Sequence, residues 1–149
     1  MMEDCELIIR EMREEDVDAI CQIEQESFSM PWRKQDFLDM ITYDHLLYLV
    51  AEFGNIIVGG CGLRMIVGEG EITNVAIREA YRNRGYGAKL LAAMLEKGNE
   101  LGMTAFTLEV RKSNLSAIHV YEKMGFISEG IRKNFYEKPC EDAVIMWKR

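Results

Sequence analysis

Asn74-Val75-Ala76-Ile77-Arg78-Glu79-Ala80-Tyr81-Arg82-Asn83-Arg84-Gly85-Tyr86-Gly87-Ala88-Lys89-Leu90-Leu91 reads in three parts: an apolar strand, a short basic loop with two glycines, and the start of an amphipathic helix. Strand, glycine-rich turn and helix N-terminus together make an anion site. The glycines let the backbone approach a ligand closely, and the free N–H groups of the first helical turn point at it. Arg82, Arg84 and Lys89 add positive charge at the same end. The pattern predicts a bound phosphate group and leaves its owner open.

The flanking residues narrow the fold. Upstream, Leu46–Phe53 and Ile56–Ile66 read as strands joined by a tight Gly54-Asn55 turn, and Gly68-Glu69-Gly70 leads into a strand over 71–78. These three make an antiparallel meander. Before them come a strand over 6–12 and a helix over 13–28, with Val17, Ile20, Ile23 and Glu24 at helical spacing. A break at 27–32 follows, then a second helix with Pro31 in its first turn, running to about Ile41. Downstream, a helix over 85–101 carries Leu90, Leu91, Met94, Leu95 and Leu101 on one face and stops at Gly102. Residues 104–111 alternate as a strand, with Phe106, Leu108 and Val110 facing one way and Thr107, Glu109 and Arg111 the other. Ser113-Asn114 opens a short helix that ends at Met124-Gly125. Strands over 126–133 and 143–147, joined by a connector over 134–142, close the chain. No linker or repeat divides it, so the expectation is a single domain over residues 1–149 of mixed α/β (α+β) class.

Composition sets outer limits. With 149 residues, 48% of them hydrophobic and 29% charged, the chain resembles an ordinary soluble globular protein. A net charge of -7 and a pI near 4.9 argue against non-specific binding to nucleic acid or an anionic membrane. Cys5, Cys21, Cys61 and Cys140 are scattered without a C-x-x-C pair, and His45 and His119 lie far from them, so no metal site is expected. Reduced thiols in a cytoplasm fit this usage. The acidic start (Glu3, Asp4, Glu6) lacks the basic and apolar segments of a signal peptide, and no apolar run reaches membrane-spanning length.

Two owners of the anion site drop out. No Lys-Ser/Thr follows the glycines, so the loop is not a P-loop. The strands before it form a meander and not the repeating βαβ units of a dinucleotide fold. A third owner comes from resemblance. Arg82-x-x-Gly85-x-Gly87 resembles the Q/R-x-x-G-x-G/A loop of the GCN5-related N-acetyltransferases (GNAT), which bind acetyl-CoA. The run Leu108-Glu109-Val110-Arg111-Lys112-Ser113-Asn114, with Ala117, Tyr121-Glu122-Lys123 and Gly125-Phe126, resembles the branch of bacterial ribosomal-protein-alanine N-acetyltransferases. So do Phe28-Ser29-Met30-Pro31-Trp32, Gly130-Ile131-Arg132-Lys133-Asn134-Phe135-Tyr136 and Glu141-Asp142-Ala143.

The resemblance covers essentially the whole chain. It implies a GNAT fold: a mostly antiparallel sheet, flanked by helices and splayed between its fourth and fifth strands, here near 71–78 and 104–111. Acetyl-CoA would sit in that opening as co-substrate, with no metal. Main-chain groups of Val75, Ala76 and Ile77 would pair with the pantetheine arm. Backbone N–H groups of Asn83, Arg84, Gly85, Tyr86, Gly87 and Ala88 would hold the pyrophosphate, and Asn114 would contact the thiol end. Glu109 would be the general base on the acceptor ammonium and Tyr121 the general acid, a role suited to a side chain that stays protonated at neutral pH with a pKa of about 10. A backbone N–H at 75–77 would polarise the carbonyl. The implied acceptor is a protein N-terminus, the N-terminal alanine of a small-subunit ribosomal protein. Loops at 28–37 and 132–142 would border its groove.

The residues by themselves leave plainer readings open. Glu109 could pair with Arg111 or another cation on a solvated sheet face. Tyr121 could be a core aromatic, and Asn114 only a helix cap. Trp32 could anchor its helix by packing alone. Two departures from the family pattern stand out: Phe135 where a tyrosine often precedes Tyr136, and no proline within 77–81. Other acceptors remain open too, namely a small-molecule amine, a polyamine or a lysine side chain, as does a non-catalytic acyl-CoA-binding module.

Overall fold

The computed structural model describes residues 6–149. Cys5, Glu3 and Asp4, used above in reading the thiols and the N-terminus, lie outside the described residues. Seven strands form one sheet: β1 (Leu7–Glu11), β2 (Leu46–Phe53), β3 (Ile56–Ile66), β4 (Glu69–Ile77), β5 (Ala105–Arg111), β6 (Ile127–Glu137) and β7 (Cys140–Lys148). Their order is β1-β2-β3-β4-β5-β7-β6. Every neighbouring pair is antiparallel except β4 and β5. The helices are α1 (Val17–Ser27), α2 (Lys34–Thr42), α3 (Tyr86–Glu100) and α4 (Leu115–Lys123).

Each face of the sheet carries its own core. Leu47, Leu49 and Ala51 of β2 pack with Leu90, Leu91 and Met94 of α3 and with Phe106, Leu108 and Val110 of β5. Tyr48 and Val50 point the other way, onto Ile20 and Ile23 of α1 and Phe37 and Met40 of α2. A strand covered on both sides has no polar face, which is why β2 reads as a continuous apolar run.

The path into α1 is held by Asp16, which accepts from both terminal nitrogens of Arg10 (2.7 and 3.0 Å) and from the Arg13 amide (2.8 Å). That hydrogen bonding holds the Asp16 carboxyl below its ordinary range. Val17, Ile20, Ile23 and Glu24 all face inward as their spacing predicts.

Three sequence expectations change. Pro31 lies before α2 and not in its first turn. The helix starts at Lys34, because the Asp36 carboxylate accepts from the Arg33 amide (2.8 Å) and makes Arg33 the N-cap. β4 begins at Glu69, two residues earlier than expected. The segment read as a connector over 134–142 is mostly hairpin: β6 and β7 continue pairing to Glu137↔Cys140, with a bulge between Arg132 and Tyr136.

Close packing against side chains of β2 and β4 explains the glycines of β3. A Cβ at Gly60 would lie 2.4 Å from the Tyr48 ring, and one at Gly62 would lie 2.5 Å from Thr73 Oγ1. Tyr48 is buried and meets Phe37 edge-on at 5.5 Å, so its ring has nowhere to go. Gly60→Ala is therefore expected to cost about 1–3 kcal/mol of stability by overpacking. The measurement is thermal unfolding beside wild type, and an unchanged Tm would show that the ring can yield.

Candidate active site

The site begins where two strands stop pairing. β4 and β5 are in register only at Glu69↔Ala105, Gly70↔Phe106 and Glu71↔Thr107. Beyond that, β4 stays beside β3 as far as Gly59↔Ile77, and β5 stays beside β7 as far as Arg111↔Ala143. The strands part at an irregularity in β4. Asn74 is left-handed (φ 53°), and the β3–β4 register shifts between Gly60 and Gly62. A bulge of this kind increases local twist and redirects the strand. Past Glu71, the edge of β4 that faces the gap has no β5 partner, and an unpaired edge is a template for an added strand.

A cavity of about 470 Å³ lies on the α3–α4 side of this gap. One wall is Val75, Ala76 and Ile77 of the free edge. The second is Asn83, Gly85, Tyr86, Gly87 and Ala88, and the third is Asn114 with Ala117, Val120 and Tyr121 of α4. Gly85 is the N-cap of α3 with φ 79°, a conformation that favours glycine, and the helix has no side-chain cap. The first amides of α3 therefore meet the cavity without intrahelical acceptors. An extended ligand with a diphosphate at one end and an amide-bearing arm fits this wall: helix amides for the phosphates, a bare strand edge for the arm.

The basic side chains do other work. Arg82 Nε donates to the Ile77 carbonyl (2.9 Å) and pins the loop to the end of β4. Arg84 stacks over the Tyr81 ring, 5.1 Å from its centroid, and is the one expected cofactor residue that does not line the cavity. Lys89 does not line it either. Asn114 is both a cavity residue and a cap, its Oδ1 accepting from the Ala117 amide at 3.3 Å. Tyr121 packs edge-on against Phe126 at 6.1 Å, and burial pushes its hydroxyl pKa well above the ordinary tyrosine value. Its resting form is firmly protonated.

A larger cavity of about 720 Å³ lies on the α1–α2 side. Glu109 lines it, because β5 alternates and Phe106, Leu108 and Val110 take the opposite face. The Glu109 side chain is 21% exposed, and its Oε2 stands 3.4 Å from Arg132 Nε. Arg132, and not Arg111, is thus its cation. That approach lacks hydrogen-bond geometry, and Oε2 is buried without a hydrogen-bond partner. Burial raises the Glu109 pKa, Arg132 pulls it back, and Glu71 adds to the rise. Among the described residues the buried side-chain polar atoms without a partner are Glu109 Oε2, Ser27 Oγ and Thr73 Oγ1, and all three residues line this cavity. Such atoms are costly unless a ligand completes them. The two cavities share Ser27 and Phe28 at the end of α1, so they meet where the strands part.

Sequence reasoning missed two side chains here. Arg111 closes the far end of the larger cavity: it donates to the carbonyls of Lys138 (3.3 Å) and Pro139 (2.9 Å) and to Glu141 (3.3 Å), and stacks over Tyr136 at 4.3 Å. Glu24, only 2% exposed, accepts from the Trp32 amide (3.0 Å) and from Asn74 Nδ2 (3.0 and 3.2 Å). Burial raises its pKa against the pull of those two donors. The signal for Glu24 was available, since it is a carboxylate on the apolar face of a helix. Trp32 does pack on Phe37 (5.2 Å), and it also walls the cavity. His119 is exposed on α4. No group of three or more His, Cys, Asp or Glu among the described residues is placed to hold a metal ion. No helix among them is long and apolar enough to cross a membrane.

Comparison with known proteins agrees with this geometry. The model of the acetyltransferase (GNAT) family matches residues 17–126. A protein of Bacillus subtilis (strain 168) is 39% identical over 140 residues, covering 93% of each chain. The [ribosomal protein bS18]-alanine N-acetyltransferase of Haemophilus influenzae (strain Rd) is 34% identical over 142 residues, 93% of this chain and 96% of that protein. The crystal structure of the ribosomal-protein-S18-alanine N-acetyltransferase from Escherichia coli superposes with a TM-score of 0.88 at 28% identity, covering 96% of this chain and 93% of that one. With the splayed sheet, the bare β4 edge and the uncapped α3 already in place, the chain belongs to the GNAT family and is an N-acetyltransferase whose co-substrate is acetyl-CoA.

Proposed function

We propose that this protein acetylates a protein N-terminal α-amine, that of an alanine on a small-subunit ribosomal protein, with Glu109 as base and Tyr121 as acid. The observation that carries the reading is Glu109: a carboxylate on the open side of β5 with an unpartnered oxygen, in a cavity that meets the cofactor cavity at Ser27 and Phe28. The relatives named as [ribosomal protein bS18]-alanine N-acetyltransferases support the acceptor. This reading puts the protein in the cytoplasm, where such an acceptor is made.

Acetyl-CoA, when bound, supplies a thioester whose acetyl group an amine takes by direct attack. The chain's residues provide the rest. The backbone of 75–77 aligns the arm along β4, the amides of Asn83 through Ala88 fix the phosphates, and Asn114 borders the thiol end. Glu109 accepts a proton from the acceptor ammonium. Tyr121, on the cofactor side, holds a proton on Oη for the leaving sulfur. The raised Glu109 pKa makes its carboxylate a stronger base than a free one.

Glu109→Gln and Tyr121→Phe are each expected to lower kcat by about 10²–10⁴-fold with acetyl-CoA affinity retained, as for the loss of a positioned acid or base. Steady-state kinetics with calorimetric binding tests this, and unchanged turnover in both variants would remove the roles.

The pH profile follows from the direction of the Glu109 shift. Its carboxylate form is the active one, so kcat should fall with decreasing pH through an apparent pKa above that of an unperturbed glutamate. Glu109→Gln should erase that limb.

For the acceptor, an alanine-starting ribosomal-protein peptide and spermidine are offered side by side with acetyl-CoA and followed by mass spectrometry. Acetylation of the peptide α-amine is expected, and acetylation of spermidine alone would overturn the acceptor assignment.

A further inference from the structure

Two charged side chains are buried among the described residues, Asp16 and Glu24. Asp16 is accounted for by its forked contact with Arg10. The partners of Glu24 are instead neutral N–H groups from two distant segments: the Trp32 amide in the loop before α2, and the Asn74 side chain in β4. Burying a carboxylate is an expensive way to fasten a helix, and an apolar residue on the inner face of α1 would pack at less cost. The carboxylate nevertheless engages both segments at once: Oε2 accepts from the Trp32 amide and from Asn74 Nδ2, and Oε1 accepts from Asn74 Nδ2 as well.

The two segments belong to opposite halves of the site. Trp32 walls the acceptor cavity together with Phe28, Ser29 and Met30 of the same loop. Asn74 is the left-handed residue of the β4 irregularity, directly before the edge at 75–77 that walls the cofactor cavity. Glu24 itself lines the acceptor cavity, one turn from Ser27, where the two cavities meet. Whatever orders the β4 edge therefore bears on Asn74, through Glu24 on the Trp32 amide, and so on the wall of the acceptor cavity.

We propose that Glu24 is a positioning residue that couples the two half-sites, so that a cofactor seated along 75–77 sets the acceptor loop through the Asn74–Glu24–Trp32 contacts. This rests on the reading that 75–77 carries the cofactor arm. Coupling of this kind is reciprocal: an ordered loop strengthens cofactor binding by the same factor. The acceptor loop is firm when the cofactor is present and looser without it.

The test breaks the contact and then rebuilds it with its polarity reversed. Asn74→Asp sets a carboxylate against Glu24, and aspartate tolerates the left-handed backbone at that position. Adding Glu24→Gln restores a donor facing an acceptor, and the glutamine oxygen still accepts from the Trp32 amide. Hydrogen exchange at the Trp32 amide is read by NMR with and without acetyl-CoA. In wild type, acetyl-CoA is expected to slow exchange by about tenfold, within the usual range of coupling between sites. In Asn74→Asp the slowing should fall below about twofold, and in the double variant it should return. Kinetics run in parallel should show a raised KM for the peptide in Asn74→Asp, relieved in the double variant. If Asn74→Asp melts below the assay temperature, Asn74→Gly replaces it, since glycine keeps the left-handed backbone and removes the donor to Glu24.

Equal slowing in wild type and the broken variant would overturn the coupling. So would a double variant that folds as stably as Asn74→Asp but recovers nothing. The exchange measurement needs only acetyl-CoA, so failure of wild type to acetylate any peptide would strike the acceptor assignment and leave this test intact.

Discussion

The structure depends on the early end of one parallel pairing. β4 and β5 share three register positions and then separate. Continued pairing would satisfy the backbone of β4 and leave nowhere for a cofactor arm. Stopping it leaves N–H and C=O groups that need water or a ligand. Each strand is held from its other side, β4 by β3 and β5 by β7, so the gap opens without loss of the sheet. The left-handed Asn74 and the bulge opposite Cys61 turn the strand away, and the small residues Gly59, Gly60 and Gly62 let β3 follow beneath Tyr48 and Thr73. The open edge is thus built into the packing of the meander and does not result from loose structure.

The same parting explains where α1 must end. Its last turn carries Glu24, Ser27 and Phe28 into the gap, so one helix terminus borders both cavities. Buried polar groups gather here, although they are costly anywhere else in the core. Glu24 is satisfied within the protein, by Trp32 and Asn74. Ser27, Thr73 and Glu109 have atoms that are not. The satisfied group shapes the site and the unsatisfied ones mark where an acceptor would complete it. Arg111 does for the β6–β7 hairpin what Glu24 does for the loop at 28–32: it gathers backbone from a neighbouring segment and turns it into a wall.

Local signals in the sequence were enough for much of this. The 2-residue period of 105–111, the glycines after a strand at 82–87 and the turn at Gly54-Asn55 each depend on residues that are neighbours in the chain, and the structure has those elements. What stayed hidden depends on residues far apart. Strands over 126–133 and 143–147 were legible, but 134–142 between them looks polar and loop-like because β6 is an edge strand exposed along most of its length; only pairing with β7 extends the strands to Glu137↔Cys140. Pro31 suggested a helix start, but the Trp32 amide is taken by Glu24, fifty residues from the Asn74 that shares it, and the helix waits for Asp36 to cap Arg33. Arg84 looked like a phosphate ligand by charge, yet it rests on the Tyr81 ring and does not line the cavity. Arg111 looked like a partner for Glu109 because the two share a strand face. The hairpin carbonyls and Glu141 draw it away, and Arg132 from β6 approaches Glu109 instead.

That exchange of cations matters for the chemistry. A bidentate arginine on Glu109 would hold its carboxylate ionised but weaken it as a base. Arg132 stands at 3.4 Å without a hydrogen bond, and burial outweighs it, so the Glu109 pKa lies above the ordinary value. Tyr121 is shifted in the same direction and for the same leading reason, burial. The shared direction serves opposite ends. A raised carboxylate pulls harder on a proton when ionised, and a raised phenol keeps its proton until a strongly basic group forms beside it. The two side chains do not touch: Glu109 lies on the α1–α2 face of the sheet, and Tyr121 packs in the core on the α3–α4 face. The two faces meet at Ser27 and Phe28 where the strands part, so under the proposed roles a proton would be taken on one side and given on the other when an amine and a thioester meet in the gap.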